Sequence, residues 1–383
     1  MRVVWFSHSS GLGGSEIGLL EAAEGLRQRA IHIHVVLPAE GPLLARLEKS
    51  RIPFTIVPYP WWTHDPDSPS NARRLHLTAH LRPTLWLRLA RVMRTIKPQL
   101  VVTNTSTIVV GAVTARLFRL PHIWYVREFG QADYDLRFDI GERRARRLMA
   151  RLSHTILVNS NALRRAVAKP GTEKKVRVMP YAIAPDPDAW PTPTPLSADG
   201  TDGLTLLLLG SLRPSKGQEE AIRAVARLAE RKIGVRLRLA GEGPAEYRRE
   251  LEALAAELGV SERVDAGGFE GAPGHAIAAA DVVLVCSRCE AFGRTTVEAM
   301  RVGRPVIGAD SGATAELVSD GRTGLLYRSG DPDDLAAKIE MLSSDRALLA
   351  RLGQAAIQSD PDFAMYLSDL SAVFRGAGSR TSP

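Results

Sequence analysis

The sequence predicts an α/β protein built from two doubly wound parallel sheets. Three observations predict it. Short apolar runs alternate with helix-period stretches along most of the 383 residues. Most of those runs are continuous rather than alternating, as strands covered on both faces require. The alternation stops at a Pro-rich stretch, PDPDAWPTPTPLSADGTDG over residues 185–203, and then restarts. A chain of this length suggests two domains. An apolar share of 45% and a charged share of 24% exclude collagen, coiled coil and global disorder.

The elements follow in order. In the first half, strands are expected at 2–6, 32–37, 54–57, 100–104, 122–126, 155–159 and 176–179. Helical patterns lie between most of them, for example at 16–29 and 110–118. Residues 185–203 lack apolar periodicity and read as an exposed linker. Strands are expected again at 204–209, 235–240, 263–266, 282–286, 305–308 and 324–327. Residues 361–374 read as helix, and the final GAGSRTSP as disordered. The expected division is thus a first domain over 1–184, a linker over 185–203, a second domain over 204–360 and a C-terminal helix and tail over 361–383. In such folds ligands bind beyond the carboxyl ends of the strands, and a cleft between the domains is the expected site.

No apolar run approaches the roughly 20 residues of a spanning helix. The start, MRVVWFSHSS, meets a Gly-rich loop before a signal-peptide core could form, so a cytoplasmic location is expected. Two cysteines, Cys286 and Cys289, cannot make a disulfide framework or a four-cysteine zinc site. Their C-S-R-C spacing reads as coincidence, because it does not open a thioredoxin-like unit. Asp-x-Asp occurs five times, four with Pro in the middle, so it nominates no metal. The net charge of +8 divides unequally. Residues 1–190 carry 28 Lys and Arg against 15 Asp and Glu, whereas residues 191–383 carry 22 against 27. A basic first half suggests an anionic partner.

Three strand-to-helix turns carry chemistry. The first runs from Ser10 to Glu16 and includes Gly11, Gly13 and Gly14. Its glycines would let a ligand approach backbone N–H groups at a positive helix end. As a dinucleotide fingerprint it fails, because the third position is Glu16. A tight turn without a ligand is the alternative. The second runs from Gly210 to Gly217. Ser215 and Gln218 have the spacing of a capping box, which would put Lys216 in the first helical turn. A helix end with Arg213 and Lys216 would suit a diphosphate. The alternative is a pair of solvated cations. The third runs from Glu290 to Met300. Thr295 and Glu298 could form another capping box, whereas Glu290 sits in the loop with no such role. Carboxylates beside cations can hold sugar hydroxyls and phosphates together.

These turns, followed by GRPVIGADSGATAELV and DGRTGLL, resemble the retaining glycosyltransferases of family four, which have the GT-B fold of two Rossmann-like domains facing a cleft. The resemblance spans residues 204–330 most closely. It continues in the GGSE loop, in Val126-Arg127-Glu128 and in Val158-Asn159-Ser160. It implies a metal-independent, hexosyltransferase-like enzyme that uses a nucleotide-diphosphate sugar (a UDP- or GDP-sugar) as co-substrate, with no cofactor. Arg213 and Lys216 would bind the diphosphate, and Glu290 the donor sugar. Glu298 would hold the ribose. Phe292, Gly293, Arg294 and Thr295 would line the donor site, with backbone N–H groups of 293–295 on sugar and phosphate. The loop at Gly268 and Phe269 would meet the base. From the first domain, Gly13, Gly14, Glu16, Arg127 and Glu128 would face the cleft and the acceptor. By the same resemblance the C-terminal helix would pack on the first domain.

The departures are informative. Arg127-Glu128 replaces the usual His-led pair, and Arg cannot act as a base near neutral pH. Arg127 would then bind a phosphate or an acidic sugar. Tyr181-Ala182-Ile183-Ala184 replaces an Asn-Gly-Ile/Val-Asp element, and Ala313 follows Gly312 where the family has a second Gly.

Residues 73–97 carry seven Lys and Arg and no acid. Leu85, Leu89, Val92 and Ile96 form one helical face, with Arg88, Arg91 and Arg94 largely off it, and Trp61, Trp62 and Trp86 read as interfacial aromatics. The segment reads either as docking on an anionic membrane surface or as a core helix with a solvated basic face. Arg143, Arg144, Arg146, Arg147 and Arg151 form a second basic cluster. The resemblance, taken with this basic first half, implies sugar transfer to a lipid-linked or surface-polysaccharide glycan by a cytoplasmic protein peripheral at the inner face of the cell membrane. A non-catalytic binding protein of the same fold is an alternative that the pairing of Glu290 and Glu298 with Arg213 and Lys216 disfavours. A nicotinamide-dependent oxidoreductase rests on topology alone. No nucleic-acid partner is expected, since no binding motif occurs.

Overall fold

A computed structural model describes the chain except residues 65–71, 169–170, 187, 194–195, 197–202, 269–270 and 380–383, and gives only the backbone of 72–74. The described residues form two compact units. One is Met1–Ala184 with Asp362–Pro383, and the other is Pro185–Pro361.

The first unit holds strands β1 (Arg2–Phe6), β2 (His32–Leu37), β3 (Phe54–Ile56), β4 (Thr63–His64), β5 (Leu100–Asn104), β6 (His122–Val126), β7 (Arg137–Phe138), β8 (Thr155–Val158) and β9 (Val176–Val178). Seven of them make a parallel sheet in the order β3-β2-β1-β5-β6-β8-β9. The remaining two, β4 and β7, pair antiparallel apart from it. Continuous apolar runs such as VVWF and IWYV are buried on both faces, because helices cover the sheet on each side. Trp5, Trp124 and Tyr125 are among the largest wholly buried side chains.

The second unit holds β10 (Leu204–Leu209), β11 (Val235–Ala240), β12 (Val264–Asp265), β13 (Val282–Val285), β14 (Val306–Ala309) and β15 (Gly324–Tyr327). They form a parallel sheet in the order β12-β11-β10-β13-β14-β15. In each sheet the strand order reverses beside the first strand, between β1 and β5 and between β10 and β13. These are the switch points where open sheets bind ligands.

Several expectations need correction. Among the described residues of 185–203, not all are exposed linker. Trp190 packs on the second unit's core, and Leu196 is partly buried there. A Cβ on Gly274 would stand 2.2 Å from the Ala189 carbonyl oxygen. The C-terminal helix runs Phe363–Gly378, so Gly376, Ala377 and Gly378 are ordered. It packs on the first unit: the Phe374 ring meets Trp5 at 5.7 Å, and Arg375 Nη2 donates to the Arg29 carbonyl at 2.6 Å.

The basic segment forms helices Ala72–His80 and Pro83–Ile96, the second opened by its Pro. Leu85, Leu89 and Val92 are buried, while Arg88, Arg91 and Arg94 are exposed. The tryptophans do not reach outward. Trp62 is buried with Nε1 donating to the Ser106 carbonyl, and Trp61 and Trp86 pack against the core. The exposed apolar side chains are instead Leu75, Leu77, Leu81 and Leu87. In helix Glu142–Leu152, Arg146 is buried against Glu142 at 2.7 Å, and Arg143, Arg144, Arg147 and Arg151 are exposed.

Candidate active site

In the second unit the turn after β10 is a single 3-10 turn, Pro214–Lys216, and the helix begins only at Gln218. The expected Ser215 capping box does not form. Gly217, at φ 74°, takes the cap position, and Gln218 Nε2 donates to the Ser211 carbonyl at 3.0 Å. Lys216 therefore precedes the helix rather than lying in its first turn. Gly217 is required twice over: its φ is left-handed, and a Cβ there would lie 2.3 Å from the Cys286 carbonyl oxygen at the end of β13.

That close approach brings the two loops together. Lys216 Nζ donates to Glu290 Oε2 at 2.8 Å. The Arg288 N–H also donates to the Ser215 carbonyl at 3.2 Å. Burial works against the charged form of Glu290. The Lys216 ammonium, with Ser287 and the Gly293 N–H, more than offsets it and holds the carboxyl below the usual range. The pair keeps part of its surface exposed, 22% for Lys216 and 17% for Glu290, so both can meet a ligand. Arg213 is exposed on the same loop.

Helix Arg294–Arg301 starts from Gly293, at φ 87°. The expected Thr295–Glu298 capping box is absent too. Arg294 Nε donates to Glu298 Oε1 at 2.6 Å, four residues on, and Thr295 Oγ1 donates to the Leu209 carbonyl at 3.4 Å. Phe292 is buried. Gly268 is exposed, its carbonyl accepting from the Gly241 N–H, and Phe269 lies outside the described residues.

In the first unit, Gly13 caps helix Gly14–Arg27. Glu16 folds back over it: a Cβ on Gly13 would stand 2.9 Å from Glu16 Oε2. Ser9 and Ser15 hydroxyls donate to the Glu16 carboxylate at 2.5 and 2.8 Å, and His8 Nδ1 lies 3.2 Å from it. Burial opposes the Glu16 charge, yet His8 and the two serines keep its carboxyl below the usual range. His8 is itself pushed down, by burial first and by the Arg127 charge. His8 and Ser9 escaped the sequence reading, although a polar pair between a strand and its Gly-rich turn is the available signal.

Arg127 follows β6 and donates through Nε to Asn104 Oδ1 at 2.8 Å. Its guanidinium lies 4.0 Å from the Tyr125 ring centre, and its Nη2 is buried without a hydrogen-bond partner. Glu128 is buried and accepts from the Ser106 and Arg127 N–H groups. Burial nonetheless dominates and pushes its carboxyl up to about 7. The unfolded chain, near 4.5, then releases this proton before the native state does. Stability is therefore expected to fall as the pH rises from about 4.5 to 7. Glu128→Gln is expected to remove roughly 2–3 kcal/mol of that fall, read from urea midpoints at acid and neutral pH. An unchanged slope would show that Glu128 titrates normally.

The family profile described as Glycosyl transferases group 1 matches residues 197–359, and that described as Glycosyltransferase Family 4 matches residues 12–186. Among curated relatives, a D-inositol 3-phosphate glycosyltransferase of Stackebrandtia nassauensis is 38% identical over 168 residues, 41% of this chain and 37% of the relative. The lipopolysaccharide core biosynthesis glycosyltransferase LpsE of Rhizobium meliloti is 30% identical over 221 residues, 56% and 61% of the two chains. The matched part thus spans less than two thirds of these relatives. Among solved structures, Anabaena Alr3699/HepE in complex with UDP-glucose superposes with a TM-score of 0.79 at 24% identity, covering 98% of this chain and all of that one. The fold is GT-B, and the nicotinamide alternative has no support beyond topology. With profiles matching both halves, the chain belongs to glycosyltransferase family four.

Proposed function

We propose that the chain is a retaining, metal-independent glycosyltransferase that moves a sugar from a UDP- or GDP-sugar to a lipid-linked or surface-polysaccharide glycan. The observation that carries this reading is the Lys216–Glu290 pair at the carboxyl edge of the second sheet. There an ammonium and the neighbouring Arg213 can neutralise the leaving diphosphate, while the ionised Glu290 accepts hydrogen bonds from the donor sugar. Glu298, steadied by Arg294, holds the ribose hydroxyls. The departing phosphate takes the acceptor proton on the face it leaves, so no two-carboxylate mechanism is needed. The complex of HepE with UDP-glucose and the lipopolysaccharide assignment of LpsE support the donor and acceptor classes.

The reading places the protein on the inner face of the cell membrane. It is supported by Leu75, Leu77, Leu81 and Leu87, exposed beside Arg82, Arg88 and Arg91. No helix among the described residues is long and apolar enough to cross a membrane.

A thermal-shift screen with UDP, GDP, ADP and TDP tests the donor. At a hundredfold excess over Kd, the bound nucleotide adds about 2.7 kcal/mol of stability. The anomeric proton of the product tests retention, and transfer that persists in chelator tests metal independence. Sedimentation with phosphatidylglycerol vesicles tests the location. No shift with UDP or GDP, or an inverted product, would overturn the reading.

A further inference from the structure

The mechanism leaves unused one buried charged group and the cavity beside it. Strands β4 and β7, far apart in sequence, pair as a short antiparallel ladder in the first unit. With the start of helix Glu142–Leu152 they wall a cavity of about 420 Å³, lined in part by His64, Gln131, Arg137, Phe138 and Gly141. Sites for small ligands run from roughly 300 to 1,000 Å³.

We propose that this cavity is a saccharide-binding subsite, in which His64, oriented by Asp139, hydrogen-bonds a sugar hydroxyl of the acceptor glycan. The inference rests on the glycan-acceptor reading above.

Three observations carry it. First, the Asp139 side chain is wholly buried and ties two rings at once, His64 Nδ1 at 2.8 Å and His76 Nδ1 at 3.3 Å. A buried carboxylate needs such partners. With Nδ1 held by Asp139, Nε2 is the ring nitrogen left for a ligand hydroxyl, in a fixed orientation. His64 keeps 23% of its side chain exposed. Second, the remaining groups suit hydroxyls. Arg137 and Gln131 are exposed on the wall and bring N–H donors. Phe138 and Leu136 give an apolar floor for the C–H face of a pyranose. Both acids are committed, Asp139 to the histidines and Glu142 to Arg146. Among the described residues no group of three or more His, Cys, Asp or Glu is placed to hold a metal ion.

Third, the cavity adjoins the strand-end loops proposed to face the acceptor. The Asp139 N–H donates to the Trp62 carbonyl at 2.8 Å, and Trp62 Nε1 donates to the Ser106 carbonyl at 2.6 Å. The Ser106 N–H in turn donates to Glu128. On the other wall, the Leu136 N–H donates to the Gly130 carbonyl at 3.1 Å, three residues beyond Arg127. A sugar held here lies against the loops that end β5 and β6.

The test uses the full chain with its donor site filled by whichever nucleotide gives the largest thermal shift. Methyl α-glycosides of glucose, galactose, mannose and N-acetylglucosamine are titrated by saturation-transfer NMR. At least one is expected to bind the wild type and to weaken about tenfold in His64→Ala and in Arg137→Ala, the loss of one hydrogen bond. The nucleotide shift is expected to stay unchanged in both. Arg137 is exposed, so its variant reports on binding even if His64→Ala unsettles the β4–β7 pair. Absence of binding by every glycoside, or equal binding by wild type and both variants, would overturn the subsite alone. Loss of the nucleotide shift in the wild type would overturn the donor reading instead.

Discussion

Lys216→Ala is expected to lower kcat for sugar transfer by about 10²–10³-fold, the usual cost of removing one group aimed at developing charge. The variant acts in two ways. It withdraws a cation from the leaving diphosphate, and it leaves Glu290 without the ammonium that stands 2.8 Å away. Orphaning a buried carboxylate costs about 3–5 kcal/mol when fully desolvated. Glu290 is 17% exposed, so the lower end or less is expected. The pH response gives a second reading. In the wild type the Glu290 carboxyl sits below its unfolded value of 4.5. Its contribution is present above that value and is lost as the pH falls through the lowered native one. Without Lys216, burial dominates, and the carboxyl moves upward. Glu290→Ala removes the same pair from the other side. The double variant should be no worse than the poorer single one, because the two act as a unit. Full activity in both singles would remove the pair from the mechanism.

Gly312→Ala is the second large effect. Gly312 has φ +58°, and a Cβ there would stand 2.5 Å from the Glu290 carbonyl oxygen and 2.6 Å from its nitrogen. Those atoms are backbone and cannot swing aside. The Ala313 N–H, which donates to the Glu290 carbonyl at 2.7 Å, would be carried away with them. We expect about 2–3 kcal/mol of lost stability, combining left-handed strain with overpacking. Transfer should fall with it, because the loop that aims Glu290 is displaced. Gly321→Ala is the control. Its φ of +70° is similar, but a Cβ there would meet nothing within 4 Å, so only about 1 kcal/mol is expected and activity should stay. Equal losses in the two variants would mean that the contact with Glu290 carries no weight.

The sheets were legible because strands buried on both faces must be apolar throughout, so VVWF and VVLV stand out without any partner in view. The loops were legible less evenly. Ser215–Gln218 and Thr295–Glu298 both satisfy the spacing of a capping box, yet neither forms one. In each case a left-handed glycine, Gly217 or Gly293, takes the cap position two residues from the expected one and frees the side chains for other partners. Spacing states which bonds are possible, and backbone conformation chooses among them. The pairing of Lys216 with Glu290, 74 residues apart, depends on β10 lying beside β13. The pairing of His64 with Asp139 depends on two strands of two residues each, distant in sequence and with no periodicity to read. Neither is a local property of the chain.

The return of the helix Phe363–Gly378 to the first unit sets an order of events on the ribosome. Residues 1–184 emerge before the second unit, but the face that this helix covers, with Trp5 and Gly25 beneath Phe374 and Leu367, stays open until residues 363–378 are made. Pro185–Pro361 is contiguous and can close its own core while that face still waits. The part synthesised earliest is thus the part completed last, and a nascent chain stalled after the second unit would present an apolar sheet face to whatever holdase is nearby.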